Sequence, residues 1–121
     1  MASKLIMIVE DSQTDMKIAE SVCSDNGYKT VMVTEGDKAL ATAIEKKPDL
    51  ILLDVILPNK NGFQVCRQLK TNEETKDIKI IIVSSKDQAS DKFWGKKQGA
   101  DDYITKPYEE SDLLAAIEKN I

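Results

Sequence analysis

The chain has 121 residues, enough for one domain built around one hydrophobic core. Its 17 Lys and Arg against 21 Asp and Glu give a formal net charge of −4, which argues against a nucleic-acid binder or a binder of anionic membranes. It contains no histidine, which excludes Ser-His-Asp and Cys-His catalysis, so any metal is expected to be a hard ion held by oxygen atoms.

The first part of the chain predicts a strand, a helix and a second strand. An apolar run over residues 4–9 indicates a strand buried on both faces, which ends at Glu10 and Asp11. Ser12, with Asp15 three residues later, resembles a capping box that opens a helix. Asn26-Gly27 ends this helix, and residues 29–34 form a β-branched second strand. The apolar face of the helix consists of Ile18, Ala19, Val22 and Cys23.

The middle of the chain continues the alternation. A helix is predicted from Gly36 to Pro48, and residues 49–53 form a third strand. A turn-rich loop over residues 58–62 leads into a third helix, and residues 78–83 form a fourth strand. One side of the second helix carries Leu40, Ala43, Ile44 and Lys47, and the third helix is marked by Phe63, Cys66 and Leu69.

The last part predicts a polar helix, a short strand and a final helix. Phe93 and Trp94 are the only large apolar residues of the polar fourth helix, which Gly99 caps. Gly95 lies inside this helix and is expected to weaken it by roughly 1 kcal/mol relative to alanine. The fifth strand covers residues 103–105, and the last helix has an apolar face of Leu113, Leu114, Ile117 and Ile121.

Five alternations of strand and helix predict an α/β fold. Because the strands are mostly apolar, they need cover on both faces, which indicates a parallel sheet inside a three-layer sandwich. We expect residues 1–121 to form a single domain. Cys23 and Cys66 lie far apart in helical patterns and are expected to be reduced and buried. The apolar run before Glu10 is too short for a signal peptide, so the expected location is the cytoplasm.

Polar groups follow four of the five predicted strands, at the points where these strands end. They are Glu10 with Asp11, Asp54, Ser84 and Lys106. The carboxyl ends of parallel strands meet at one edge of a sheet, where ligands bind. Each residue alone also has a structural interpretation, as a helix cap, a turn residue or a solvated lysine. Together, three close carboxylates would repel one another unless neutralised, and Mg²⁺ is the natural counter-charge.

The same residues belong to a wider pattern that resembles the receiver domain of bacterial two-component response regulators. The resemblance covers essentially the whole chain and implies a flavodoxin-like (βα)5 fold with strand order 2-1-3-4-5. It also implies transfer of a phosphoryl group from a histidine kinase to an aspartate, with Mg²⁺ required. The matching residues are Glu10-Asp11, residues 52–58 with Asp54, Gly62, Val83-Ser84-Ser85, Gly99-Ala100, Tyr103 and Lys106-Pro107.

The resemblance implies a role for each residue of the site. Asp54 is the phosphoacceptor and Lys106 contacts the phosphoryl oxygens. The metal site consists of Asp54, Asp11 as a direct ligand, Glu10 acting through water, and the backbone carbonyl of Ile56.

Two further residues are implied to transmit the signal. Ser84 is the switch hydroxyl and Tyr103 the aromatic switch, which together alter a face made of the fourth helix, fifth strand and fifth helix. A downstream protein would bind this face, and Trp94 is either a partner contact or a ring packed beside Phe93. The Lys106–Pro107 bond is implied to be cis.

Residues 86–88 and 94–100 narrow the resemblance to single-domain regulators of chemosensory systems that control type IV pili and twitching motility. The chain departs from the family in its Glu-Asp pair and in Ser84, where threonine is commoner. Ile56 and Lys86 occupy positions where the family varies its dephosphorylation rate. We expect a monomer or weak dimer without an output domain, which is not an enzyme beyond assisting its own phosphorylation and dephosphorylation.

Three other functions are weighed against this one. A phosphorylation-independent interaction module on the same fold usually lacks the aspartate or the lysine, and both are present here. A flavin-binding electron carrier needs a phosphate loop after the first strand, where Glu10 and Asp11 would repel phosphate. An aspartyl phosphatase usually has a second acid two residues after its nucleophile, and this position is Ile56.

Overall fold

The structure is a computed structural model that describes residues 3–121, so Met1 and Ala2 of the predicted domain lie outside it. Strands and helices alternate five times, and a 3₁₀ turn over Gly36–Lys38 precedes the second helix. The strands are β1 (Leu5–Val9), β2 (Lys29–Val33), β3 (Leu50–Leu53), β4 (Lys79–Ser84) and β5 (Asp102–Thr105). The helices are α1 (Gln13–Asp25), α2 (Ala39–Lys46), α3 (Gly62–Thr71), α4 (Ala89–Lys97) and α5 (Glu110–Asn120).

The five strands form one parallel sheet in the order β2-β1-β3-β4-β5, so the predicted fold is confirmed. β1 lies between β2 and β3, and its Met7 pairs with Val31 of β2 on one side and with Ile51 of β3 on the other. This register aligns the carboxyl ends of β1 and β3, which lie side by side at the edge where the candidate site was expected.

The sheet is buried on both faces by two separate hydrophobic clusters. Ile6 and Ile8 of β1 point into the cluster that α1 and α5 cover. Met7 and Val9 point the other way, into the cluster that α2 and α3 cover. The alternation follows from the two-residue period of a strand and explains why these strands are apolar without interruption.

Helix α4 packs closely on the sheet through Gly95. A Cβ at this position would lie 2.9 Å from Cδ1 of Ile82 and 3.2 Å from the ring of Tyr103. The glycine therefore permits close packing of α4 on β4 and β5, a role that its helix propensity does not reveal. Phe93 and Trp94 are 61% and 55% exposed, so both rings lie at the surface.

Two residues assigned to apolar helix faces lie elsewhere, and those assignments were wrong. Ile18 is 45% exposed, because Met16 contributes to the buried face of α1 in its place. Lys47 follows the end of α2 and adopts a left-handed conformation with φ of 50°. Its backbone N–H donates to the carbonyl of Ala43, which closes the last turn of the helix.

Both cysteines are buried and free, as predicted. Burial raises the pKa of the Cys23 and Cys66 thiols to about 12, so neither forms a reactive thiolate near neutral pH. Among residues 3–121, no helix combines the length and apolar character that crossing a bilayer requires.

The loop after β3 is folded back against the end of that strand by Gly62. The Gly62 N–H donates to the Val55 carbonyl over 3.0 Å, and the Asn61 side chain caps α3 by accepting from the Phe63 N–H. A Cβ on Gly62 would collide with the Cα of Val55 and with the carbonyl oxygen of Asp54. Only glycine fits between α3 and this segment of backbone.

We predict that Gly62→Ala lowers the free energy of unfolding by about 3 kcal/mol, because the new methyl group meets backbone that cannot move aside. Gly27→Ala is the control. Gly27 has φ of 87° but open space around its Cα, so only the backbone strain of about 1 to 2 kcal/mol is expected. Urea denaturation measures both values, and equal losses in the two variants would contradict the packing argument.

Candidate functional site

Backbone hydrogen bonds beyond the strands place two of the predicted site residues. The Asp54 N–H donates to the Val9 carbonyl over 3.0 Å, and the Lys106 N–H donates to the Ser84 carbonyl over 2.9 Å. These bonds extend the sheet past the assigned ends of β3 and β5. Asp54 and Lys106 are therefore held by the register of the sheet, although each follows its strand in the sequence.

The ammonium group of Lys106 lies at the centre of the site. Its Nζ contacts Glu10 Oε1 at 2.5 Å, Asp15 Oδ2 at 2.8 Å and Asp54 Oδ2 at 3.0 Å. A lysine ammonium has three N–H donors, and here all three are used. The Lys106 side chain is only 15% exposed, so its contacts with the buried Glu10 and Asp54 are shielded from water.

Asp15 is a site residue that the sequence analysis missed. Ser12 caps α1 by accepting from the Asp15 N–H over 3.3 Å, but the capping box is incomplete because the Asp15 carboxylate binds Lys106 instead. The Ser12 N–H donates to Glu10 Oε2. A signal was available, since Asp15 lies in the first turn of the helix that begins directly after Glu10 and Asp11, at the same edge of the sheet.

The carboxylate of Asp54 is 7% exposed and has one fixed partner on each oxygen. Oδ1 accepts from the Ile56 N–H over 3.0 Å, and Oδ2 accepts from Lys106. The group is thus oriented by the backbone on one side and by the ammonium on the other. Each oxygen keeps a lone pair that can bind an electrophile or a cation.

Three carboxylates form a cluster that suits a hard cation. Glu10, Asp11 and Asp54 each offer an oxygen atom, and the three atoms lie within 4.8 Å of one another. Asp11 is exposed, whereas the other two are buried. The donor set contains oxygen only, which fits Mg²⁺ with several of its waters retained.

The charges around Lys106 do not balance, since one ammonium faces the four carboxylates of Glu10, Asp11, Asp15 and Asp54. The pKa of Glu10 is raised to about 7, chiefly by burial and further by the charge of Asp54, against the opposing hydrogen bond from Lys106. Burial alone would lower the pKa of Lys106. The hydrogen bonds that Lys106 donates to Asp15, Glu10 and Asp54 outweigh this effect and raise the pKa. The ammonium therefore stays charged while Glu10 remains incompletely compensated.

The two predicted switch residues are joined through Lys86. Ser84 is fully buried and its Oγ accepts from the Lys86 N–H over 3.3 Å. The hydroxyl of Tyr103 donates to the Lys86 carbonyl over 2.6 Å. Burial raises the pKa of the Tyr103 hydroxyl, which therefore stays a donor. One backbone segment after β4 thus connects both side chains.

A cavity of about 530 Å³ opens at this edge of the sheet and contains the carboxylates. Ile18 and Ile56, both about half exposed, form an apolar part of its wall. Ser85 lines the cavity, whereas Ser84 lies buried beneath it. The Lys106–Pro107 bond at its rim is cis, as the resemblance implied. The predicted residues Glu10, Asp11, Asp54, Ile56 and Lys106 all line this cavity.

Comparison with known proteins supports the same assignment. Residues 6–118 match the family described as response regulator receiver domain. Protein PilH of Pseudomonas aeruginosa is 45% identical over 112 residues, which are 93% of each chain, and Protein PilG of the same organism is 34% identical over 96% of this chain and 86% of its own. The crystal structure of the chemotaxis protein CheY4 of Vibrio cholerae superposes with a TM-score of 0.93 at 25% identity, over 99% of this chain and 100% of that one.

We predict that the metal-free protein loses stability as the pH rises from about 5 to about 7. Glu10 has a higher pKa in the folded chain than in the unfolded chain, so folding is favoured while Glu10 is protonated and less favoured once it ionises. The loss attributable to Glu10 is on the order of 2 kcal/mol.

Urea denaturation in the presence of a chelator measures this slope. Glu10→Gln should flatten it, whereas the control Glu73→Gln, at a side chain that is 87% exposed, should keep the slope of the wild type. An unchanged slope in Glu10→Gln would show that burial of this carboxyl has no such effect.

Proposed function

Because this chain belongs to the response regulator receiver family, we propose that it accepts a phosphoryl group from a histidine kinase onto Asp54 with the help of Mg²⁺. The observation that carries the proposal is the environment of Asp54, a buried carboxylate held between Lys106 and a backbone N–H and next to two further carboxylates. Such a group is oriented and poorly hydrated, which suits a nucleophile.

The transfer itself requires little covalent chemistry from the protein. A carboxylate oxygen of Asp54 attacks the phosphorus atom in line, the bond between phosphorus and the histidine nitrogen of the kinase breaks, and the electron pair stays on that nitrogen. The Lys106 ammonium stabilises the negative charge on the phosphoryl oxygens. The catalytic contribution of this chain is thus orientation and charge neutralisation.

The metal would be held by Asp11 and Asp54, by Glu10 through water, and by the backbone carbonyl of Ile56. When bound, Mg²⁺ supplies the positive charge that the carboxylates lack and a binding point for phosphoryl oxygens. The Glu10 side chain is fixed by Lys106 and the Ser12 N–H, which leaves Asp11 as the exposed carboxylate that can approach a cation directly.

Lys106 must give up a partner before it can bind a phosphoryl oxygen, because its three donors are all used. Asp15 is the most exposed of the three acceptors, at 38% against 6% for Glu10 and 7% for Asp54. Water can replace Lys106 at Asp15 at little cost, since an exposed carboxylate is readily hydrated. Exchange of Asp15 for the phosphoryl group therefore leaves both buried carboxylates paired.

The phosphorylated site would act on Ser84 and Tyr103. A phosphoryl group adds strong acceptors beside β4, and the Ser84 hydroxyl can donate to one of them. This movement would release the Lys86 N–H and change the segment whose Lys86 carbonyl Tyr103 binds. The face of α4, β5 and α5 then changes in a two-state manner and binds a downstream protein.

The pathway is proposed to be the control of type IV pili and twitching motility. The residues at 86–88 and 94–100 indicated this context, and the similarity to PilH and PilG supports it. In this role the chain is a signalling protein and not an enzyme that turns over a substrate. A phosphorylation-independent interaction module is the alternative, and the complete set of Asp54, Lys106 and Ser84 counts against it.

We predict that a small-molecule phosphodonor with Mg²⁺ adds one phosphoryl group to the wild-type chain and none to Asp54→Asn, because the amide is not a nucleophile. Intact mass spectrometry measures the gain. Asp77→Asn, at an exposed carboxylate in the connection before β4, is the control that should gain the group normally. The same gain in Asp54→Asn would refute the assignment of the phosphoacceptor.

We predict further that Mg²⁺ shifts the backbone amide resonances of residues near Asp11 and Asp54 in a saturable way. Asp11→Asn removes one carboxylate ligand and should weaken binding by about tenfold or more, which is the range seen for changes at metal sites. Asp77→Asn should titrate like the wild type. A chain that shows no saturable response, or an Asp11→Asn variant with unchanged affinity, would argue against the metal site.

A further inference from the structure

A second large cavity lies between α3 and α4 and shares no residue with the acidic site. We call it the α3–α4 groove; its volume is about 770 Å³. It runs from the loops that begin the two helices towards their carboxyl ends. Its walls are formed by Lys60, Asn61, Phe63, Gln64, Arg67, Gln68, Thr71, Lys86, Asp91, Trp94 and Gln98.

The α3–α4 groove is positively charged on a chain that is negative overall. It contains Lys60, Arg67 and Lys86, whereas the whole chain has a formal net charge of −4. Asp91 is the one acidic residue in its wall, and its carboxylate already accepts the Gln88 N–H over 3.1 Å at the start of α4. The groove therefore offers cations whose charge complements an acidic ligand.

The groove also offers apolar and amide surface. Trp94 is the single tryptophan of the chain and is 55% exposed, and the ring of Phe63 lies on the opposite wall. Gln64 and Gln98 add side-chain amides, which both donate and accept hydrogen bonds as a polypeptide backbone does. The net charge of −4 opposes binding of a nucleic acid, so a peptide is the ligand that this lining favours.

We propose that the α3–α4 groove docks an acidic protein segment that carries an aliphatic or aromatic residue, with Arg67 and Trp94 as its main contacts. Tryptophan and arginine are the residues that most often dominate binding energy at interfaces, and here both line one concave surface. This surface is separate from the α4–β5–α5 face, because Lys92 and Lys96, which lie beside β5, do not line the groove.

The groove is connected to the switch residues through Lys86. The backbone of Lys86 is bonded to Ser84 on one side and to Tyr103 on the other. This step rests on the proposed function: if Ser84 turns to a phosphoryl group, the Lys86 N–H loses its acceptor and one wall of the groove changes. The segment therefore binds the resting protein and is released by phosphorylation.

Fluorescence anisotropy with a labelled synthetic peptide tests this proposal. The peptide alternates glutamate with leucine and carries one phenylalanine, and a matched peptide has every glutamate replaced by glutamine. We expect the acidic peptide to bind the resting wild-type chain better than the neutral one. Arg67→Glu and Trp94→Ala should each weaken binding by about tenfold or more.

Two control variants separate the groove from other surfaces. Lys96→Glu makes the same charge change on the far side of α4, and Phe93→Ala removes the neighbouring exposed ring. Both should keep binding within about twofold of the wild type, because they lie outside the groove and exposed charges there are screened. Circular dichroism melts confirm that all four variants are folded.

Several results would overturn the proposal. They are no binding of the acidic peptide, equal losses in Lys96→Glu and Arg67→Glu, a loss in Phe93→Ala without one in Trp94→Ala, or preference for a single-stranded oligonucleotide over the peptide.

The link to phosphorylation is tested separately, with Mg²⁺ and beryllium fluoride as a phosphoryl mimic. We expect the mimic to weaken binding of the wild type by at least about fivefold. Binding that depends on Arg67 and Trp94 but ignores the mimic would leave the docking site standing and overturn its control by Lys86. If mass spectrometry also shows no phosphoryl uptake at Asp54, the proposed function fails while the docking site does not.

Discussion

One ammonium group, that of Lys106, holds the carboxylates of the site in place. It contacts Glu10, Asp15 and Asp54 from a largely buried position and is the one cation in direct contact with them among residues 3–121. Because its three donors are all used while Asp11 adds a fourth negative charge, the site carries more negative charge than the protein neutralises. That imbalance raises the pKa of Glu10 and makes a divalent cation the natural complement.

The rest of the fold holds these charged groups in fixed positions. Backbone hydrogen bonds to neighbouring strands hold the main chain of Asp54 and Lys106 in position. The hydrophobic clusters on its two faces hold the sheet itself in place. Gly62 allows the loop after β3 to fold against Asp54, and the bonds of Lys86 connect this edge to Ser84 and Tyr103. Hydrogen bonds thus connect Asp54 to Tyr103 through Lys106, Ser84 and Lys86.

The fold and most of the site could be predicted because both depend on local patterns. Uninterrupted apolar runs mark buried parallel strands, so the polar residues that end them, such as Asp54 and Lys106, are expected at one edge. Contacts between distant elements leave no such pattern. Asp15 was interpreted only as a capping residue, although its carboxylate binds Lys106 across 91 positions of sequence. Gly95 suggested a weak helix, whereas its missing side chain permits close packing on Ile82.

We propose that Asp54, among four clustered carboxylates, is the one that becomes phosphorylated. The most direct test is to phosphorylate the chain, reduce it with borohydride and sequence its peptides by mass spectrometry, because this reduction converts an aspartyl phosphate to homoserine. We expect homoserine at position 54, intact aspartate at positions 11 and 15, and intact glutamate at position 10. Reduction at Asp11 or Asp15 with Asp54 intact would contradict the assignment of Asp54.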